Sequence, residues 1–121
     1  MASILLAEDE PILRMLVMDS LEDEGYEIDA AVDGEEALEK ITAREYDLII
    51  LDYMMPKMTG IEVIEKTRAL PERSGARILM LSAKNQQAEQ DKVLQAGADD
   101  FMSKPFSPLD LIAKVGQMLN G

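Results

Sequence analysis

The chain has 121 residues, with 24 acidic against 12 basic side chains and a formal net charge of −12; this is the size of one domain with enough chain to bury a core. So acidic a molecule repels a phosphate backbone, and no cluster of Lys and Arg interleaved with aromatics offsets that, so direct nucleic-acid binding is not expected and the immediate partners are proteins or cations. Cysteine and histidine are both absent, which leaves no disulfide framework and no thiolate metal site, and any histidine chemistry must come from a partner.

From the N-terminus, "SILLA" at 3–7 is short, apolar and ended by charge, the pattern of a strand buried on both faces. Pro11 then suits the first position of a helix, with Glu10 as a non-ideal cap, and Ile12, Leu13, Met15 and Leu16 follow helical spacing toward Gly25, which predicts that most of them face the core. "YEIDAAV" is the second strand, Asp33 and Gly34 a turn, and Ala37, Leu38 and Ile41 the apolar face of the second helix. "DLIIL" is the third strand, and Ile61, Val63, Ile64 and Leu70 belong to a helix that stops before Pro71. "ARILML" is the fourth strand, followed by a helix through Ala88, Val93, Leu94 and Ala96 that stops at Gly97. "DDFM" is a short fifth strand, after which Ser107 caps a last helix with Pro108 in its first turn and Leu111, Ile112, Val115 and Leu119 inside.

Five strands alternating with five helices predict a single α/β domain over residues 1–121, built on a parallel sheet with helices on both faces. No apolar run approaches the ~20 residues of a membrane helix, and the run after Met1 is too short for a signal peptide, so the cytoplasm is the expected location.

In such sheets the functional crevice lies beyond the carboxyl ends of the strands. The first strand runs into Glu8 and Asp9, the third into Asp52, the fourth into Ser82 and the fifth into Ser103, Lys104 and Pro105. Taken singly, each has an ordinary reading: Asp9 and Asp52 as caps, Ser82 as a loop hydroxyl, Lys104 as a solvated charge. Their conjunction on one rim points to a site. Clustered carboxylates raise one another's pKa and need positive charge to stay ionised. Lys104 supplies one charge, and an octahedral Mg²⁺, replaceable by Mn²⁺, supplies the rest, with Asp9, Asp52 and the carbonyl of Met54 as ligands and Glu8 supporting them from outside the coordination sphere. Bracketed by metal and Lys104, Asp52 is set to accept a phosphoryl group, and Ser82 to donate a hydrogen bond to one phosphoryl oxygen.

These residues resemble a response-regulator receiver domain, the phosphoacceptor module of two-component signalling. "LLAEDEP" is similar to the family's acidic pair, "LDYMMPKMTG" to its phosphoacceptor segment, "MLSAK" to its hydroxyl-Ala step and "KPF" to its Lys-Pro corner. The resemblance implies Asp52 as phosphoacceptor, Glu8 and Asp9 as the acidic pair, Ser82 as the switch hydroxyl, Lys104 as the site lysine, a flavodoxin-like strand order 2-1-3-4-5, and a cis Lys104-Pro105 bond. It places Phe101 at the aromatic switch, where a Phe acts only sterically and otherwise packs as core. It further implies a sensor histidine kinase or histidine phosphotransfer protein docking near the first helix, where Ile12, Leu13 and Leu16 offer apolar contacts, and a downstream effector protein reading the fourth helix, fifth strand and fifth helix. The loops around Met54 and Lys84 govern the lifetime of the phosphoryl group. The chain stops soon after its last helix, so no effector domain is expected on it, as in a stand-alone regulator, a relay shuttle or a receiver excised from a longer regulator.

Three other functions fit less well. An aspartate-nucleophile phosphohydrolase resembles this pattern but carries a second Asp two residues after its nucleophile; Met54 stands there and cannot protonate a leaving group, so the chain is not expected to be a turnover enzyme. A nucleotide- or flavin-binding module needs glycines and backbone N–H groups after the first strand, where "AEDEP" presents carboxylates. A phosphorylation-independent interaction domain has no use for Asp52, Ser82 and Lys104 together.

Overall fold

In the computed structural model, which describes residues 2–82 and 87–120, the chain alternates strand and helix: β1 (Ser3–Ala7), α1 (Pro11–Glu22), β2 (Glu27–Ala31), α2 (Gly34–Ala43), β3 (Leu48–Asp52), α3 (Gly60–Ala69), β4 (Ile78–Ser82), α4 (Gln87–Ala96), β5 (Asp100–Ser103) and α5 (Pro108–Asn120). All neighbouring strands are parallel, in the order β2-β1-β3-β4-β5.

The two-residue period of the strands sorts their side chains into two cores. Leu5, Ala7, Ile49, Leu51, Ile78 and Met80 pack against Ala37 and Ile41 of α2, Val63 and Ile64 of α3 and Val93 of α4. Ile4, Leu6, Leu48, Ile50, Leu79 and Leu81 pack on the other face against Val17 and Leu21 of α1 and Leu111 and Val115 of α5. Each fully buried Leu or Ile contributes about 1.5–3 kcal/mol, which is why the strands read as unbroken apolar runs. The same alternation, carried past the last apolar residues, puts Glu8, Asp52 and Lys104 in step with the α1/α5 face and Ser82 in step with the α2/α3/α4 face.

Local chemistry sets the helix ends. Glu10 caps α1, accepting from Ile12 N and Leu13 N, Pro11 takes the first position, and Asp33 accepts from Glu36 N at the start of α2. Thr59 and Glu62 form a reciprocal capping box on α3, and Ser107 Oγ accepts from Asp110 N at the start of α5. At the opposite end of the sheet the Arg68 guanidinium donates to the carbonyls of Gly97, Ser74 and Ala76 and pairs with Asp99, tying the end of α3 to the end of α4. Gly97 there has φ +120, a conformation that favours glycine, and an added Cβ would lie 3.1 Å from the Arg68 side chain.

The outer face of α1 departs from expectation. Ile12, Met15 and Leu16 are 77%, 63% and 49% exposed, while Val17 and Leu21 reach the core and Leu13 is half-buried against it. Leu94 of α4 is likewise exposed, and Leu70 is the C-cap of α3 rather than a member of it. Helical spacing alone does not fix which of two adjacent apolar stripes turns inward; the contact with the sheet does. No helix among the described residues is long and apolar enough to cross a membrane.

Candidate functional site

Parallel strands in register bring the residues after β1, β3 and β5 to one edge. Asp52 is the last residue of β3, only 6% exposed, and Glu8, which follows β1, is fully buried. Two carboxylates so placed require a cation, and Lys104 provides it: its Nζ donates to Glu8 Oε1 at 3.0 Å and lies 3.0 Å from Asp52 Oδ1. Asp9 is exposed at the lip, and carboxylate oxygens of Glu8, Asp9 and Asp52 lie within 4.8 Å of one another, so this acidic group could hold a metal ion.

The electrostatics follow from burial. Loss of solvation pushes the Asp52 carboxyl up to about 6; Lys104 opposes this and the Glu8 charge adds to it. Burial works against the Lys104 ammonium too, but its hydrogen bonds to Asp52 and Glu8 outweigh that and raise its pKa. Asp52 is therefore a carboxylate held close to its protonation point, which a second cation would drive into the ionised form.

The segment after Asp52 is clamped. Gly60 N donates to Tyr53 O at 3.0 Å, Gly34 N to Pro56 O at 3.4 Å, and Lys57 pairs with Asp33 at 3.6 Å. Lys57 has φ 70, the left-handed conformation of this tight loop. A Cβ at Gly34 would lie 2.0 Å from Met58 O, and one at Gly60 2.5 Å from Asp52 O, so both positions demand glycine for close backbone approach.

Glu8, Asp9, Asp52 and Lys104 thus converge as the sequence suggests. Met54 sits in the same clamped segment with its side chain 64% exposed. Ser82 is buried at the end of β4, paired in register with Ser103, and Lys104 N donates to its carbonyl. Phe101 is half-buried in β5 opposite Met80, packed against the core beneath α2, α3 and α4. The Lys104-Pro105 bond is cis. Ala83 and Lys84, the rest of the hydroxyl-Ala step, lie outside the described residues.

Two residues escaped the sequence reading. Arg14 donates to the Glu8 carbonyl at 2.8 Å, bracing the acidic turn from α1. Glu89, in the first turn of α4, accepts a hydrogen bond from Ser82 Oγ. The only signal for Arg14 was a helical cation one turn beyond an acidic pair; for Glu89, seven residues past Ser82, there was none.

Comparison with known proteins agrees with this geometry. The family model "Response regulator receiver domain" matches residues 4–116. The chain is 41% identical over 116 residues to the phosphate regulon transcriptional regulatory protein PhoB of Rhizobium meliloti, covering 96% of this chain and 51% of that protein, so it spans about half the length of that relative. Among solved structures, the chemotaxis response regulator CheY4 of Vibrio cholerae superposes with a TM-score of 0.94 at 34% identity, covering 98% of this chain and 99% of that one. The receiver domain of sensor histidine kinase PA1611 from Pseudomonas aeruginosa, whose structure has a magnesium ion coordinated in the active site cleft, superposes with a TM-score of 0.92 at 28% identity, covering 99% and 98%. A sheet ordered 2-1-3-4-5 whose strand tips gather three carboxylates, two of them paired with one lysine, matched by that family along nearly the whole chain, makes this protein a member of the response regulator receiver domain family.

Proposed function

We propose that Asp52 accepts a phosphoryl group from a phosphohistidine of a partner protein, and that the modified domain presents an altered surface to a downstream protein. The observation that carries this reading is Asp52 itself: a buried carboxylate at a strand tip, 3.0 Å from the Lys104 ammonium and in one acidic cluster with Glu8 and Asp9. An Asp52 oxygen attacks phosphorus opposite the P–N bond; that bond breaks, its electron pair leaves with the imidazole, and an acyl phosphate remains on Asp52. Lys104 neutralises the oxygens that gather beside it, and the clamp on Pro56, Lys57 and Gly60 keeps the nucleophile aligned.

The acidic cluster offers oxygen donors of the kind Mg²⁺ or Mn²⁺ takes, and the PA1611 receiver domain has a magnesium ion coordinated in its active site cleft. Asp9, Asp52 and the Met54 carbonyl would hold the ion, with Glu8 behind them. When bound, it supplies charge neutralisation of the phosphoryl oxygens. Ser82 donates to a phosphoryl oxygen in the modified state, and Phe101 answers by steric repacking.

Docking of the phosphohistidine partner, a sensor histidine kinase or histidine phosphotransfer protein, falls to the exposed apolar residues Ile12, Met15 and Leu16 of α1. The net charge of −12 opposes contact of this domain with a nucleic-acid backbone, so its output is a protein contact, and the receiver-family reading gives it a cytoplasmic place. Self-phosphorylation and slow loss of the phosphoryl group, rather than turnover of a substrate, complete the reading. Intact-mass analysis after acetyl phosphate treatment tests it. One phosphoryl adduct is expected, dependent on Mg²⁺ and absent from Asp52→Asn; an adduct that persists in the variant would refute the assignment.

A further inference from the structure

The Ser82 hydroxyl is already in use. Ser82 is fully buried and in step with the sheet face covered by α2, α3 and α4, and its Oγ donates to the Glu89 carboxylate in the first turn of α4. A serine hydroxyl has one proton to give. Donation to Glu89 and donation to a phosphoryl oxygen on Asp52 are therefore mutually exclusive.

We propose that Glu89 is a positioning residue for the phosphoryl site, which holds the Ser82 proton in the resting protein and must surrender it when Asp52 is occupied. The inference rests on the phosphoacceptor reading of Asp52. Its physical content is a competition. The carboxylate makes a charge-assisted hydrogen bond, stronger than one between neutral groups, and it sits at a helix start, where a negative charge is favoured. Both effects stabilise the arrangement in which Ser82 is turned toward α4. An incoming phosphoryl group binds well only to the arrangement in which the hydroxyl has turned away, so its apparent affinity is reduced by the fraction of molecules so arranged. On exchange, Glu89 loses its donor. The first turn of α4 thereby senses whether Asp52 is occupied.

A double-mutant cycle separates this from a plain charge effect. Beryllium trifluoride, which mimics a phosphoryl group on a carboxylate, is titrated with Mg²⁺ into wild type, Glu89→Ala, Ser82→Ala and the double variant, each first checked for cooperative thermal unfolding. Glu89→Ala is expected to bind about three- to tenfold more tightly than wild type, the worth of one released hydrogen bond. On the Ser82→Ala background the same substitution is expected to change affinity by less than about twofold. Glu89→Met, which keeps a long side chain without an acceptor, should repeat the gain if Glu89→Ala folds poorly. An equal gain on both backgrounds would reduce Glu89 to electrostatics and overturn the proposal, as would no gain on either. If wild type itself fails to bind the probe, the phosphoacceptor reading falls and this inference with it.

Discussion

Lys104 donates to two carboxylates at once, so removing it strands both. Glu8 is fully buried and Asp52 nearly so; without the ammonium, at least one of them must take up a proton. Lys104→Met is expected to raise the Asp52 pKa further above 6 and to abolish the acetyl phosphate adduct at neutral pH, a pair of changes that carboxyl NMR titration and intact mass read independently. Asp52 also leaves a mark on stability. Its carboxyl stands at about 6 when folded against an ordinary 3.8, so between those values the folded chain keeps a proton that the unfolded chain has released. Stability contributed by this group is full below pH 3.8 and falls as pH rises through about 6, by up to roughly 3 kcal/mol, and is level above. Asp52→Asn should lack that slope and be more stable than wild type at pH 7 without divalent cations. Urea midpoints across the acid range test this, and parallel profiles would count against it.

Among the elements, the clamp behind β3 has the strictest geometry. An added Cβ at Gly34 meets the Met58 carbonyl, backbone that cannot step aside cheaply. Gly34→Ala should cost about 2 kcal/mol or more in stability and weaken cation binding by shifting the segment that carries Met54. Thr59→Ala removes one half of the α3 capping box, about 1 kcal/mol, and should leave the acetyl phosphate adduct intact. All ten elements were legible because apolar runs, caps and breakers agreed: Pro11, Gly34, Ser107 and Gly97 stand at helix boundaries, and the acidic and basic residues of the site fall just where strands stop. What the sequence withheld was side-chain direction across elements. The exposure of Ile12, Met15 and Leu16 depends on how α1 rolls on the sheet, and the Ser82–Glu89 hydrogen bond depends on where α4 begins, neither of which a one-dimensional pattern encodes.

For the molecule as a whole, a net charge of −12 with three carboxylates gathered at one edge makes folding and cation binding mutually supportive. A ligand that binds only the folded chain adds about 2.7 kcal/mol at a hundred times its dissociation constant. Mg²⁺ should therefore raise the thermal midpoint well beyond what an equal ionic strength of NaCl achieves by screening, and Asp9→Asn should retain only the screening part. The Arg68 fork gives motion in this frame a direction. By pinning the Gly97 carbonyl and Asp99 to the end of α3, it makes the foot of α4 a pivot, and the ten-residue helix above it a lever about 15 Å long. A tilt of about 10° barely disturbs the foot yet carries the head, where Glu89 sits, through about 3 Å, so any swing of α4 about this anchor is largest beside the phosphoacceptor edge and smallest at Gly97.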